Sequence, residues 1–167
     1  KPEAYAVLHR MHHAYSDTIQ DPHSPVIYRN PLRMMWETKK SYQEIARDGI
    51  IHEPKFLGNT PSWPLIDRLG QSRLSTLVWM AAYTTFYVVF ATAWWHYLIL
   101  PVHFLMGPVH GLTVNWFGHW AGYRNFKTGD DSTNNTLVAW LVFGEGYQNN
   151  HHRFPSSAKF SVKWWEV

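Results

Sequence analysis

Two clusters of histidines have the spacing of metal ligands on a helix. They are H-R-M-H-H at residues 9–13 and Q-N-N-H-H at residues 148–152. Each cluster places a polar residue at position i and histidines at i+3 and i+4, and these positions share one face of a helix. Neutral imidazole is a good ligand for iron, zinc or copper. The sequence therefore predicts a metal site to which both clusters contribute.

A long uncharged segment separates the two clusters. Between Leu74 and Tyr123 the chain has 50 residues without Asp, Glu, Lys or Arg. A bilayer core about 30 Å thick takes roughly 20 helical residues per crossing, so this length is enough for two crossings. Pro101 and Gly107 interrupt the segment near its middle. We therefore expect one membrane span at about residues 74–100 and a second at about 109–121.

The charges that flank the segment indicate its orientation. Basic residues stand at both outer ends, Arg68 and Arg73 before it and Arg124 and Lys127 after it. The positive-inside rule then places both flanks in the cytoplasm. Two crossings return the chain to its starting side, so His119 and Asn115, which share a helix face, can meet both clusters at one membrane surface. A buried hairpin in a soluble enzyme is the alternative, but such helices seldom run 50 residues without a charge.

The predicted fold is all-α. Residues 74–121 are expected to form an integral membrane hairpin, and residues 1–73 and 122–167 are expected to form cytoplasmic helices that make a histidine-rich cap. One amphipathic helix should run from a cap at Asn30 to Gly49. Another should begin at Ser132 or Thr133, carry the second cluster and end before Pro155.

Composition excludes several classes of protein. The chain has no cysteine, which rules out disulfides, thiolate zinc sites, iron–sulfur clusters and cysteine nucleophiles. Its net charge of +3 without a dense basic run argues against nucleic-acid binding. His96, His103 and His110 recur every seven residues and could hold haem in a non-catalytic membrane anchor, although histidines bonded to carbonyl groups are the favoured interpretation. His52 is not expected to be a ligand.

Three segments resemble the membrane fatty acid desaturases, nearest to the acyl-CoA delta-9 (stearoyl-CoA-like) group and its bacterial relatives. They are LHRMHHAYSDTIQDPHSP at 8–25, NWFGHWAGYRNF at 115–126 and GEGYQNNHHRFP at 144–155. The resemblance implies a di-iron centre, O₂ as co-substrate and a cis double bond introduced into an acyl-CoA or acyl-lipid. It also implies a lipid bilayer and an external electron donor, such as cytochrome b5 or ferredoxin with its reductase, and no haem or nucleotide on this chain.

The resemblance also assigns residues. The expected iron ligands are His9, His12, His13, His119, His151 and His152. Asn115 matches a position that holds a metal-bound water in relatives, and Gln148 stands where the third box usually begins with histidine, so it would ligate weakly or hold a water. Supporting roles are expected for Arg10, Asp21, His23 and Glu145. The carboxylates among these, together with Asp17, can hold ring N–H groups of the ligands.

One element of the family pattern is missing. The first histidine box, H-x-x-x-x-H, does not occur in these 167 residues. The chain is therefore expected to be an N-terminally truncated fragment that lacks two ligands and is inactive alone. A related histidine-rich di-iron hydroxylase or ketolase remains an alternative, because it would use the same centre. A zinc hydrolase is a weaker one, because no glutamate lies beside the paired histidines as a general base.

Overall fold

The computed structural model describes every residue except 51–52 and 61–62. In chain order its α-helices are α1 (Pro2–Tyr15), α2 (Pro25–Tyr28), α3 (Pro31–Gln43), α4 (Pro64–Gln71), α5 (Arg73–Phe90), α6 (Leu100–Phe104), α7 (Met106–Gly118), α8 (Thr136–Leu141) and α9 (Gln148–Arg153). Within the described residues, β-pairing is limited to two isolated antiparallel bridges, both made by Asn134. The prediction of an all-helical chain is confirmed.

Helix α1 has a buried, largely apolar face, and the packing of this face determines where its histidines point. Ala4, Leu8 and His12 follow one another at four-residue intervals, so they share a face of the helix, and all three are buried. This face packs against the short segments that follow α3, in a core made of Ala4, Val7, Leu8, Ile45, Ala46 and Phe56. Burying one leucine side chain stabilises a fold by roughly 1.5–3 kcal/mol. The core therefore fixes the rotation of α1 and the directions of its histidines.

Helix α3 begins and ends where the sequence predicts. The Asn30 side chain accepts a hydrogen bond from the backbone N–H of Arg33 at 3.0 Å, which satisfies one of the free donors of the first turn. The helix continues as one π-helical segment, Glu44–Asp48, up to Gly49. Gly49 has a φ of 66°, a left-handed conformation that glycine adopts without strain and that ends the helix.

The uncharged segment is helical but is divided differently from the prediction. Helix α5 ends at Phe90 rather than near residue 100, and a 3₁₀ segment at Trp94–Ile99 follows it. Pro101 lies in the first turn of α6, where its missing N–H is tolerated. The chain then bends by 72° between α6 and α7. The uncharged segment therefore forms one helix that ends early, α5, followed by a 3₁₀ segment and the two shorter helices α6 and α7, in place of two long helices.

The length and hydropathy of a helix determine whether it could cross a bilayer. Among the described residues, no single helix is both long and apolar enough to cross a bilayer. The bent pair Trp94–Phe104 and Met106–Gly118 satisfies the length and composition criteria when its two parts are taken together.

The C-terminal region contains two short helices instead of the single helix that the sequence predicts. Helix α8 begins after Asn135, not after Ser132 or Thr133, because the Asn135 side chain accepts from a backbone N–H of the first turn. Phe143 and Gly144 have φ values of 52° and 97°, and this left-handed pair ends the helical path after α8. The second histidine cluster therefore lies on α9, and the turn sets the direction of α9 independently of the direction of α8.

Candidate metal centre

Three imidazoles from distant parts of the chain meet in one group. We define His12, His119 and His152 as the first triad; they come from α1, the end of α7 and α9. The Nε2 atom of His152 lies 3.2 Å from Nε2 of His12 and 3.2 Å from Nε2 of His119. Their side chains are at most 2% exposed. The fold thus buries three imidazoles with their Nε2 atoms facing one another.

Each ring of the first triad donates a hydrogen bond from Nδ1 to a carboxylate. The pairs are His12–Asp21 at 3.0 Å, His119–Asp17 at 2.9 Å and His152–Asp130 at 2.8 Å. An ionised carboxylate can only accept, so each Nδ1 carries a proton. In a neutral imidazole the opposite nitrogen, Nε2, then presents a lone pair.

These lone pairs fit a bound metal ion. Acceptor nitrogens 3.2 Å apart, as Nε2 of His152 is from each of the other two, cannot hydrogen-bond to one another, so their arrangement is unfavourable unless a cation lies between them. Nitrogen ligands about 2.1 Å from a metal at neighbouring octahedral positions would be about 3 Å apart, which is close to the observed spacing. The donor set of the first triad therefore suits a divalent transition metal.

A second group of three imidazoles lies beside the first. We define His9, His13 and His151 as the second triad. Its Nε2 atoms are separated by 3.1 Å (His9 to His13), 2.9 Å (His13 to His151) and 3.2 Å (His151 to His9). Two of its members are four residues apart on α1 and the third is on α9. The second triad has the same inner spacing as the first and is also a candidate metal site.

The two triads are adjacent. The ring centroids of His13 and His152, one from each triad, are 4.5 Å apart. Consecutive residues of a helix point about 100° apart, so His12 and His13 turn toward different triads, as do His151 and His152. One pair of neighbouring histidines on each of two helices therefore serves two metal sites side by side.

Burial favours the neutral form of His12, His13 and His151. Burial and repulsion between neighbouring rings lower the pKa of His13 to about 2 and the pKa of His151 to about 3. The same causes lower the pKa of His12 well below its usual value. Burial alone would raise the pKa of Asp17, but its hydrogen bonds, led by the one from His119, lower it to about 2. Neutral imidazoles can bind a cation through a ring nitrogen, and an ionised carboxylate beside them stabilises its positive charge.

We expect the metal-free protein to lose stability in mild acid. The folded pKa values of His13 and His151 lie below the unfolded value of about 6.5, so the unfolded chain binds more protons between these values. The free energy of unfolding should therefore fall progressively as the pH drops from about 6.5 toward about 3. Thermal unfolding of the full-length protein in detergent, compared at about pH 7.5 and about pH 5, measures this.

The matched variant for this test is His13→Gln, which cannot titrate. It should show a smaller fall in melting temperature between the two pH values than the unsubstituted protein. An equal melting temperature at both pH values in the unsubstituted protein would contradict the expectation.

Asn115 and Gln148, predicted as water-mediated or weak ligands, hydrogen-bond to the backbone. The Asn115 amide donates to the Gly111 carbonyl at 2.8 Å, within α7. The buried Gln148 amide donates to the Glu145 carbonyl at 2.8 Å. Their roles at a metal stay predictions.

The expected supporting residues take different positions. Arg10 donates to the carbonyls of Phe56 and Gly58 at 2.8 and 2.7 Å, which holds that segment on α1. Glu145 contacts Nε2 of His110 at 2.9 Å, and its supporting role at the metal site stays a prediction. Its contact links α7 to the turn before α9.

His23 lies against the first triad. Its ring is 4.2 Å from the ring of His12, and its backbone N–H donates to Asp21 at 3.0 Å. Neither of its ring nitrogens has a partner among the described residues. His12, Asp21 and His23 form a third group with metal-ligand spacing, but the first two already hydrogen-bond to each other.

His96, His103 and His110 do not converge. His96 accepts from backbone N–H groups at the start of its 3₁₀ segment, His103 packs against two tyrosine rings and His110 contacts Glu145. Across the part of the chain that the structure describes, they join no group of potential metal ligands. His52 lies outside the described residues.

Sequence reasoning missed Asp130, the partner of His152. Its Oδ1 also accepts from Thr128 and from the backbone and side chain of Ser132, so the carboxylate is held in a tight turn. The run of polar residues T-G-D-D-S is typical of such a turn, but no spacing rule connects it to a histidine 22 residues away.

Sequence reasoning also missed Glu166, whose hydrogen bonds connect the C-terminal segment to α9. This buried carboxylate accepts five hydrogen bonds, from Tyr123 Oη, Asn125 Nδ2, Asn150 Nδ2 and the backbone N–H groups of Val162 and Lys163. Burial alone would raise the pKa of Glu166, but these donors lower it. Since Asn150 directly precedes the paired histidines, the network fixes the position of α9.

Glu166→Ala should strongly destabilise the fold. The substitution leaves buried donors without an acceptor, and each such group costs about 1–3 kcal/mol, so we expect a loss of roughly 2–4 kcal/mol in the free energy of unfolding. The matched control is Glu145→Ala, which removes a half-exposed contact worth less than about 1 kcal/mol. Unfolding of both variants in detergent measures the difference, and equal losses would contradict the role of Glu166.

The fold and the site together define a helical protein in which distant histidine clusters meet in two adjacent groups, each of which could hold a metal ion. Comparison with protein families is more specific. The family model for fatty acid desaturases matches residues 1–167, so the chain belongs to the fatty acid desaturase family.

Several curated proteins are similar over almost the whole chain. It is 30% identical to the sn-1 stearoyl-lipid 9-desaturase of Anabaena variabilis, over 99% of this chain and 58% of that protein. It is 31% identical to the acyl-CoA C20 Delta5-desaturase of Anemone leveillei, over 99% of this chain and 51% of that protein. The chain thus spans about half the length of these relatives. No solved structure matches it significantly.

Proposed function

We propose that the protein carrying this chain is an O₂-dependent di-iron desaturase that introduces a cis double bond into a saturated fatty acyl chain. The observation that carries this proposal is the convergence of six histidine Nε2 atoms into two adjacent triads. Membership of the desaturase family supports the acyl chain as substrate. The first histidine box, which these 167 residues do not contain, would complete both metal sites in the full-length protein.

Iron suits the reaction better than zinc does. Breaking an unactivated methylene C–H bond needs an oxidant made from O₂ at a redox metal, which is the chemistry that iron supplies. The chain's own residues would hold the metals through neutral Nε2 atoms. In the first triad the carboxylates keep the proton on Nδ1, and burial excludes water from the three rings. These residues therefore position and protect the metals.

The substrate would be an amphiphile with its head group in water and its tail in lipid. We propose a multi-pass membrane protein with the metal site on the cytoplasmic side, because the uncharged segment is flanked by basic residues at both ends. The substrate is an acyl-CoA or an acyl-lipid, since the chain is similar both to the stearoyl-lipid desaturase of Anabaena variabilis and to the acyl-CoA desaturase of Anemone leveillei. Desaturation at position 9 is proposed from the initial resemblance and from the 9-desaturases of Anabaena variabilis and Synechocystis.

Electrons would come from a separate carrier. The reaction reduces O₂ to two water molecules with two hydrogens from the acyl chain, two external electrons and two protons from solvent. The sequence contains no glycine-rich dinucleotide fingerprint, so a cytochrome b5 or a ferredoxin with its reductase is the proposed donor.

Expression of the full-length gene in a host without unsaturated lipids tests the proposal. Analysis of the host fatty acids should reveal a cis-monounsaturated product whose double-bond position and lipid class identify the substrate. A hydroxylated or ketone product would assign the centre to the related oxygenases instead. Iron-loaded protein that changes no fatty acid when supplied with O₂ and reductant would contradict the proposed function.

A further inference from the structure

The two triads differ in what contacts their outer ring nitrogens. In the first triad all three Nδ1 atoms donate to carboxylates. In the second triad, no described residue accepts a hydrogen bond from Nδ1 of His151, which is buried. We propose that the first triad is the high-affinity metal site and fills before the second, an inference that rests on the proposed dimetal centre.

The carboxylates favour metal binding at the first triad in two ways. They hold each ring in the tautomer that leaves Nε2 free, so no proton has to move when a metal binds. They also place three negative charges around a dication whose other neighbours are neutral rings. Loss of one such partner typically lowers metal affinity 10–100-fold.

The second triad lacks this support. The His151 ring stacks on the apolar ring of Phe160 with centroids 4.3 Å apart, and the His9 ring stacks against Tyr5 at 6.0 Å. Glu145 is half-exposed and contacts His110, so it acts on His9 only through its charge, as Asp130 does on His13. A dication here would have three neutral ligands, and within the described residues no carboxylate hydrogen-bonds to their ring nitrogens, so its affinity should be lower.

Asp130→Asn is the sharpest test of the difference. Oδ1 of Asp130 accepts from three donors, so the amide of the variant should keep its oxygen there and turn Nδ2 toward His152. The amide would then donate to Nδ1 of His152, which drives the ring proton to Nε2 and removes the lone pair. The shape of the side chain is unchanged.

The experiment is a titration of the metal-depleted full-length protein in detergent with Co²⁺, followed by visible absorption and calorimetry. We expect two binding steps. Asp130→Asn should weaken the tighter step 10–100-fold and the weaker step much less, because Asp130 reaches His13 only through its charge. His9→Ala should abolish the weaker step and keep the tighter one. The matched control is Asp131→Asn, the same chemical change at an exposed neighbour, which should alter neither step.

The outcomes separate the two proposals. Two steps of equal affinity, or an Asp130→Asn protein that loses only the weaker step, would overturn the order of filling and leave the dimetal centre intact. Absence of Co²⁺ binding at both triads would overturn the dimetal centre and this inference together. If Asp130→Asn does not fold, Asp17→Ala removes the carboxylate that accepts from Nδ1 of His119, and it should likewise weaken the tighter step.

Discussion

Replacing His12 or His152 with alanine in the full-length protein is expected to reduce unsaturated product to background. Both residues belong to the first triad, where each supplies one of three Nε2 ligands and is buried. Loss of one ligand leaves an incomplete metal site and, at His152, removes the partner of Oδ2 of Asp130. Fatty acid analysis of the expressing host measures product, and metal analysis of the purified protein should show a parallel loss.

The matched control for this prediction is His110→Ala. His110 is a histidine of the same chain, but it lies outside the triads and contacts a half-exposed glutamate. Its variant should retain most of the product, and all three variants should appear in the membrane fraction. Undiminished product in His12→Ala or His152→Ala would remove those residues from the site.

Gly118→Ala should separate the elements that build the first triad. Gly118 ends α7 immediately before His119, and a Cβ atom there would lie 2.9 Å from Cβ of Gln148 and closer still to its Cγ. These atoms are near the backbone of α9, so the helix itself would have to shift. Overpacking of this kind costs about 1–3 kcal/mol, more than the roughly 1 kcal/mol that alanine gains over glycine in a helix. We expect lower stability and a large loss of bound metal.

Gly111→Ala is the matched control, since it makes the same change in the same helix. No atom lies within 4 Å of the position of a Cβ atom there. Helix propensity should therefore dominate, and the melting temperature should stay the same or rise slightly. Equal melting temperatures and metal contents for the two variants would contradict the close packing of α7 on α9.

Features that depend on neighbouring residues were predictable from the sequence. The limits of α3 follow from a capping asparagine and a glycine at its end, and the structure has both. The all-helical class follows from periodicity and from the uncharged segment. The expected ligands follow from the i, i+3 and i+4 spacing of histidines, which determines the helix face that a side chain takes.

Features that depend on distant contacts were not predictable. The end of α5 at Phe90 and the turn between α8 and α9 break patterns that look continuous in the sequence. Asp130 acts on a histidine 22 residues away, and Glu166 acts on Asn150 across 16 residues. Local sequence propensities do not predict such pairs, because the pairs form only after the helices have packed.

The sequence by itself determined that histidines from three segments are the candidate ligands and that helices must present them. Only the tertiary structure decided which histidine belongs to which triad. It sends His12 and His13 to different triads, does the same with His151 and His152, and gives carboxylates to one triad. The physical reason is that spacing along a helix determines relative direction, whereas the distance and rotation between helices come from the packing of side chains far apart in the chain.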